Sequence, residues 1–271
     1  MAPNESIHID IDKVVATRAK GKKFPKFLVN WIKKLIHQDE LNEYFDQGTL
    51  GVEFAEGAIK HLGVTFEIEG IENIPAEGRF TFACNHPLGG IEALEMVAFL
   101  GRRYNEQIAS PANDFLMNVK QVQQYLVPVN KLGAQARELS GQLEEIFASD
   151  KQIFFFPAGL CSRKIDGKVQ DLPWKKTFIT KSRQHHRDII PMWCSGQNSK
   201  RFYRIDRLCK ALKLKTNLAM FLLPDELFKT RGKTFRIVIG KPVPWETFTP
   251  EKKDIEWAAY MRDVTYSLAK E

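Results

Sequence analysis

From Val64 to Gly240 the chain alternates short β-rich apolar runs with stretches of helical periodicity, and this constrains the fold more than any other feature. The candidate strands are 64-VTFEIEG-70, 79-RFTFAC-84, 125-YLVPVN-130, 152-QIFFFP-157, 189-IIPMWC-194 and 235-FRIVIG-240. Several are unbroken apolar runs, the pattern of strands covered on both faces. Helical spacing fills 91–103, 133–148, 174–185, 204–214 and 251–269. Strands alternating with helices predict an α/β fold, a mixed, mostly parallel β-sheet flanked by helices. Residues 1–63 have no strand pattern and read as a helical N-terminal segment before a main domain over 64–271. With 271 residues, 44% of them hydrophobic, the chain can bury a full core without staples.

The formal net charge is +7, which suits a polyanionic partner or a merely solvated basic surface. Its distribution says more. Arg18, Lys20, Lys22, Lys23, Lys26, Lys33 and Lys34 lie in a stretch with no acid between Asp12 and Asp39. Phe24, Phe27, Leu28, Trp31, Ile32, Leu35 and Ile36 recur there at helical intervals. This predicts a basic amphipathic helix, whose apolar stripe fits an anionic membrane surface or the protein's own core. Residues 200–215, KRFYRIDRLCKALKLK, hold seven cations and one acid and leave the same two alternatives. No nucleic-acid-binding signature is present, no secretory signal opens the chain, and no run reaches the ~20 apolar residues of a spanning helix. Cys84, Cys161, Cys194 and Cys209 show neither CxxC nor zinc spacing, so reduced thiols, no metal and a cytoplasmic setting are expected.

Two turns after apolar strands carry chemistry. The first is 85-NHPLGGIE-92. His86 can take and return a proton at neutral pH. Glu92 falls in the first turn of the next helix, where the N–H groups favour a carboxylate, and can fold back onto the imidazole. Glu95 and Asp114 are rival partners. Gly89 and Gly90 are candidate oxyanion donors. The bland alternative is a surface histidine with a helix-capping glutamate. The second turn is 156-FPAGLCSRK-164, where Gly159 lets the chain turn and Ser162, Arg163 and Lys164 present a hydroxyl and two cations to an anion.

Together these blocks resemble the glycerolipid acyltransferase superfamily, the 1-acylglycerol-3-phosphate acyltransferases and their relatives. The family's Asn-His-x4-Asp block is matched by Asn85, His86 and Glu92, with five intervening residues and Glu for Asp. A basic-ended strand is matched by 127-VPVNK-131, with Lys131 in place of arginine. Phe-Pro-Glu-Gly-Thr-Arg-Ser is matched by Phe156 to Arg163, with Ala158 and Leu160 replacing glutamate and threonine. The segments 189-IIPM-192 and 239-IGKPVP-244 resemble the later strands, and all occur in family order. The spelling is similar to a divergent bacterial branch that includes O-acyltransferases of amino-acid lipids.

The resemblance implies a peripheral-membrane O-acyltransferase on the inner face of the cell membrane. It would carry an acyl group from acyl-CoA or acyl carrier protein to a lysolipid hydroxyl, of a lysophosphatidic acid or a hydroxyacyl amino acid. His86 would be the general base, with Glu92 its partner, no acyl-enzyme and no cofactor. Asn85, Lys131, Gly159, Ser162, Arg163 and Lys164 would bind substrate. Two other classes remain at this point, beside a weaker one, nucleic-acid binding from charge alone. One is a non-catalytic membrane-binding module on the same fold. The other is a transferase or thioesterase with a cysteine nucleophile, Cys161 or Cys84.

Overall fold

The computed structural model describes residues 8–12, 25–113, 116–117, 119–129, 134–213 and 218–270. Lys131, Asp114 and the cations at 18, 20, 22 and 23 lie outside them. From Lys26 onward, three helices precede the sheet: α1 (Lys26–Leu35), α2 (Gln38–Phe45) and α3 (Gly51–His61). The main sheet has seven strands: β1 (Thr65–Glu69), β2 (Phe80–Cys84), β3 (Ile108–Ala112), β4 (Leu126–Pro128), β5 (Gln152–Phe155), β8 (Asp188–Cys194) and β9 (Thr234–Ile239). Their spatial order is β1-β9-β8-β2-β5-β3-β4. All neighbours are parallel except β8 and β9. The mixed, mostly parallel sheet expected from the sequence is therefore present. A two-stranded hairpin, β6 (Arg163–Ile165) and β7 (Lys168–Gln170), stands apart from it.

Strand alternation sorts the core into two layers. Phe80, Phe82 and Cys84 face one side, where they join Phe154, Ile190 and Ile237. Helix α4 (Ile91–Arg103) covers this side with Met96, Val97 and Leu100, and Tyr44, Val52, Phe54 and Ala58 of α2 and α3 pack there too. Ala83, Ile153, Phe155 and Ile189 face the other side. That side is covered by Phe147 of α5 (Ala134–Ala148), Phe178 of α6 (Thr177–Gln184) and Trp257 and Met261 of α9 (Asp254–Ser267). Fully burying one such aromatic contributes roughly 1.5–3 kcal/mol. The remaining helices are α7 (Lys200–Ala211) and α8 (Leu223–Phe228), joined to a 3-10 turn at Leu218–Leu222.

The connections decide where a site can form. From β2 the chain moves through α4 to β3 on one side, and from β5 it moves through α6 to β8 on the other. Ligands of open α/β sheets bind in the crevice outside the carboxyl ends where connections diverge. Both chemical turns emerge there, from Cys84 and Phe155.

Candidate active site

Asn85 leaves β2 and is buried. Its Oδ1 accepts from Cys194 N at 2.6 Å, and its Nδ2 donates to Cys194 O at 2.9 Å. This amide clasps the ends of β2 and β8, so it sets the strand end instead of facing a substrate.

His86 follows with only 16% of its side chain exposed. Its ring stacks on Phe156 from the second turn, with centroids 4.2 Å apart. The backbone holds it from both sides, since His86 N donates to Asp171 Oδ1 at 3.2 Å and Ser162 N donates to His86 O at 2.6 Å. Nδ1 is buried and stands 3.0 Å from Glu92 Oε1, close in distance without the alignment of a linear hydrogen bond. Nε2 makes no hydrogen bond among the described residues, so the ring keeps one nitrogen for a ligand.

Glu92 is fully buried, and the turn wraps around it. Oε1 accepts from Leu88 N at 2.8 Å and Gly89 N at 2.7 Å, and Oε2 accepts from Gly90 N at 3.0 Å. Burial pushes this carboxyl up, but the neighbouring His86 and the Gly89 and Leu88 N–H groups outweigh it and hold it below the usual carboxylate range. Gly89 is needed in this turn. Its φ is +89°, and a Cβ there would sit 3.0 Å from Leu223 Cδ2 and 3.1 Å from Cys161 Cβ. The extra residue between His86 and the acid is thus absorbed in a tight loop closed on the carboxylate. The same bonds commit the Gly89 and Gly90 N–H groups to Glu92, so the oxyanion role expected of them is not open in this geometry.

Glu95, one turn further on, is not brought to His86. It lines a groove of about 580 Å³ with Glu56, Ile59, Lys60, Val64 and Arg102. Burial, with Glu56 adding to it, pushes its carboxyl up to about 7. A carboxyl raised on folding binds protons more tightly in the native state, so the native state loses stability as pH climbs from about 4.5 to about 7. Glu95→Gln is therefore expected to stabilise the protein by about 2 kcal/mol at pH 8 and to be neutral near pH 4, read by urea denaturation at both pH values.

The second turn differs from the anion cradle expected of it. Ser162 is buried, and its Oγ donates to Asp171 Oδ1 at 2.6 Å. Arg163 is 1% exposed. Its Nε pairs with Asp206 Oδ1 of α7 at 2.9 Å, its Nη1 donates to Cys161 O at 2.5 Å, and its Nη2 lies 3.4 Å from Met220 Sδ. Its guanidinium also lies over the Phe202 ring. Both side chains are spent inside the protein, because a buried acid is supplied to each. Gly159, at φ +69°, gives room for the Lys175 side chain, whose Nζ lies 2.8 Å from where a Cβ would stand. Cations left exposed beside this turn include Lys164, Lys175 and Lys176.

Asp171 escaped the sequence reading. It binds His86 N, Ser162 Oγ and, at 2.8 Å, Trp174 Nε1, and so ties the two turns together. The available signal was an acid in the cationic run from Arg163 to Lys176, directly before Leu-Pro-Trp. All four cysteines are buried and free. Burial pushes the Cys161 thiol up to about 11 despite nearby Arg163, and lifts Cys84 and Cys194 well above the usual thiol range. A thiolate nucleophile does not fit these surroundings. Among the described residues no cluster of three or more His, Cys, Asp or Glu side chains could hold a metal ion.

A fully buried carboxylate thus stands behind a largely covered histidine at the carboxyl ends of a mixed, mostly parallel α/β sheet. A family model described as Acyltransferase matches residues 13–271, and the chain belongs to this acyltransferase family. It is 46% identical over 264 residues to a protein named lyso-glycine lipid O-acyltransferase from Bacteroides thetaiotaomicron, covering 96% of this chain and 97% of that one. It is 45% identical over 265 residues to a protein of the same name from Phocaeicola vulgatus, covering 96% and 95%. Its fold is similar to the crystal structure of the 1-acyl-sn-glycerophosphate acyltransferase PlsC from Thermotoga maritima. The TM-score is 0.51 at 17% identity, over 96% of this chain and 87% of that one. The protein is an acyltransferase, which sets aside the non-catalytic module.

Proposed function

We propose that this enzyme moves a fatty acyl group from a thioester, acyl-CoA or acyl carrier protein, to the hydroxyl of a single-chain amino-acid lipid of the lyso-glycine type. The observation that carries the chemistry is the His86 ring, with Nδ1 against buried Glu92 and Nε2 open. The acceptor class is supported by the names of the two relatives. Nε2 takes the proton of the acceptor hydroxyl as its oxygen attacks the thioester carbonyl. The tetrahedral adduct collapses, the C–S bond breaks, and the leaving sulfur takes the proton back from the imidazolium. Glu92 balances the imidazolium charge meanwhile. Lys164, Lys175 and Lys176 suit the acceptor's carboxylate or the anionic donor, a role that Arg163 cannot fill.

On this reading the reaction runs at an anionic membrane surface, on its cytoplasmic side. Among the described residues no helix is long and apolar enough to cross a membrane. Supporting contact from outside, α1 buries Val29 and Leu35 but leaves Phe27 and Trp31 exposed among lysines. The test is thioester consumption with N-(3-hydroxyacyl)glycine, lysophosphatidic acid and other lysophospholipids, with products separated by mass. Acylation of the hydroxyacyl glycine is expected. Preference for a lysophospholipid would overturn the acceptor, and no transfer from either donor would overturn the reaction.

A further inference from the structure

Six of the twelve exposed large apolar side chains among the described residues come from three elements that share one small core. Leu35 of α1, Phe202 of α7 and Ala219 and Leu222 of the 3-10 turn are buried together. Outward from that cluster the same elements expose Phe27 (76%) and Trp31 on α1, Leu208 on α7 with Leu212 (60%) at its C-cap, and Leu218 and Phe221 on the 3-10 turn. On α1, residues 27, 31 and 35 follow one another at four-residue steps, so the stripe that starts in the cluster runs on past the body. On α7 the buried side is Phe202, Tyr203, Asp206 and Cys209, which turns Leu208 and its i+4 neighbour Leu212 outward. The sequence left open whether the α7 stripe covers the core, and Leu208 and Leu212 do not.

The exposed charges that α7 brings to this apolar crown have one sign, although Arg201 also meets Asp225 of α8 at 3.7 Å. The exposed charged residues of α7 are Lys200, Arg201, Arg204, Arg207 and Lys210, and Lys213 follows. The helix's one acid, Asp206, is buried against Arg163. Lys26 and Lys34 add to the rim from α1. The crown also borders the site, because Leu223, next after the 3-10 turn, packs against Gly89 in the His86 loop. Arg163 joins the second chemical turn to both Asp206 of α7 and Met220 of the 3-10 turn.

We infer that the face made by Leu208, Leu212, Leu218 and Phe221, continued by Trp31 and Phe27, seats on an anionic bilayer, so that α7 and the 3-10 turn are membrane-contacting elements in their own right. Apolar side chains rimmed by cations are what an anionic lipid surface takes up. The inference rests on the proposal that the acceptor is a membrane lipid. Seating here brings the lipid surface beside the His86 loop, and the buried Arg163 holds the platform and the catalytic turn as one piece.

The test is flotation of the full chain with vesicles of pure phosphatidylcholine and of an equimolar mixture with phosphatidylglycerol. Wild type is expected to float with the mixture, less so as salt rises. The triple variant Leu208→Ser, Leu212→Ser, Phe221→Ser is expected to bind at least ~10-fold less, since each change removes apolar area from the lipid contact. Arg207→Glu with Lys213→Glu should lose the preference for the anionic mixture. Transfer to a short-chain acceptor dissolved as monomers should be unchanged in the triple variant, while transfer to vesicle-borne acceptor falls with binding. Triple-variant flotation equal to wild type would overturn the inference and leave the reaction standing. So would wild type that never floats, or a wild-type dimer that the triple variant abolishes, which would assign the face to a second copy. Absence of transfer to either acceptor would instead overturn the functional reading.

Discussion

Glu92→Gln is expected to lower kcat by about 10²–10⁴ with little change in KM, and His86→Ala by at least as much. Glutamine keeps the volume and removes the charge that would balance the imidazolium. It also misfits its cradle. Three backbone N–H groups converge on the two carboxylate oxygens, and an amide turns an N–H donor toward one of them. Leaving a buried donor unmatched costs about 1–3 kcal/mol, so a stability loss of that order should accompany the rate loss. The pH dependence separates this from a packing defect. Glu92 has a folded-state value below its ordinary one, so its contribution is fully present above about 4.5 and fades as pH falls through the lower folded value. The gap between wild type and Glu92→Gln in urea denaturation should therefore shrink in acid. A gap equally wide at low pH, or a variant with full turnover, would show that Glu92 plays no charged part.

Arg163→Met is expected to cost about 3–5 kcal/mol of stability, because breaking a buried ion pair strands its partner. Asp206 would lose its buried guanidinium partner and keep Lys210, 2.9 Å away and half-exposed. The double variant Arg163→Met, Asp206→Leu should regain most of the loss, since a well-packed apolar pair often equals a buried ion pair. A substrate-holding arginine would behave in the opposite way, with stability kept, KM raised many-fold and no rescue by changing Asp206. Thermal denaturation and steady-state kinetics on the two variants decide between these behaviours.

Much of the fold could be read from the chain because its central strands are buried on both faces. QIFFF and IIPMWC announce themselves by composition, and α4 begins and ends at the predicted residues 91 and 103. What escaped were elements held by context. IASPA of β3 contains a serine and a proline, and becomes a strand because β5 and β4 flank it. The Lys168–Gln170 strand exists only as half of a hairpin. In the site, the proximity of His86 and Glu92 was suggested by the turn itself, because six residues of local chain can close on one carboxylate. The fate of Arg163 was not legible, since its partner lies forty-three positions away on another helix, and a sequence cannot say which acids are buried. Asp171 was hidden for the same reason, as it joins its own loop to His86 N, 85 positions away, and to Ser162 Oγ on the second turn.

The four sealed cysteines bear on the chemistry of the discharged donor. With the proposed thioester donor, every turnover would release a free thiol into a site whose two flanking cysteines, Cys161 and Cys84, are buried. Those sulfurs are kept from water and held as neutral thiols, and exchange with disulfides requires a thiolate that can be reached. On that reading a sulfur leaving group, or a mixed disulfide derived from it, would find no reactive thiolate in Cys161 or Cys84 to capture it.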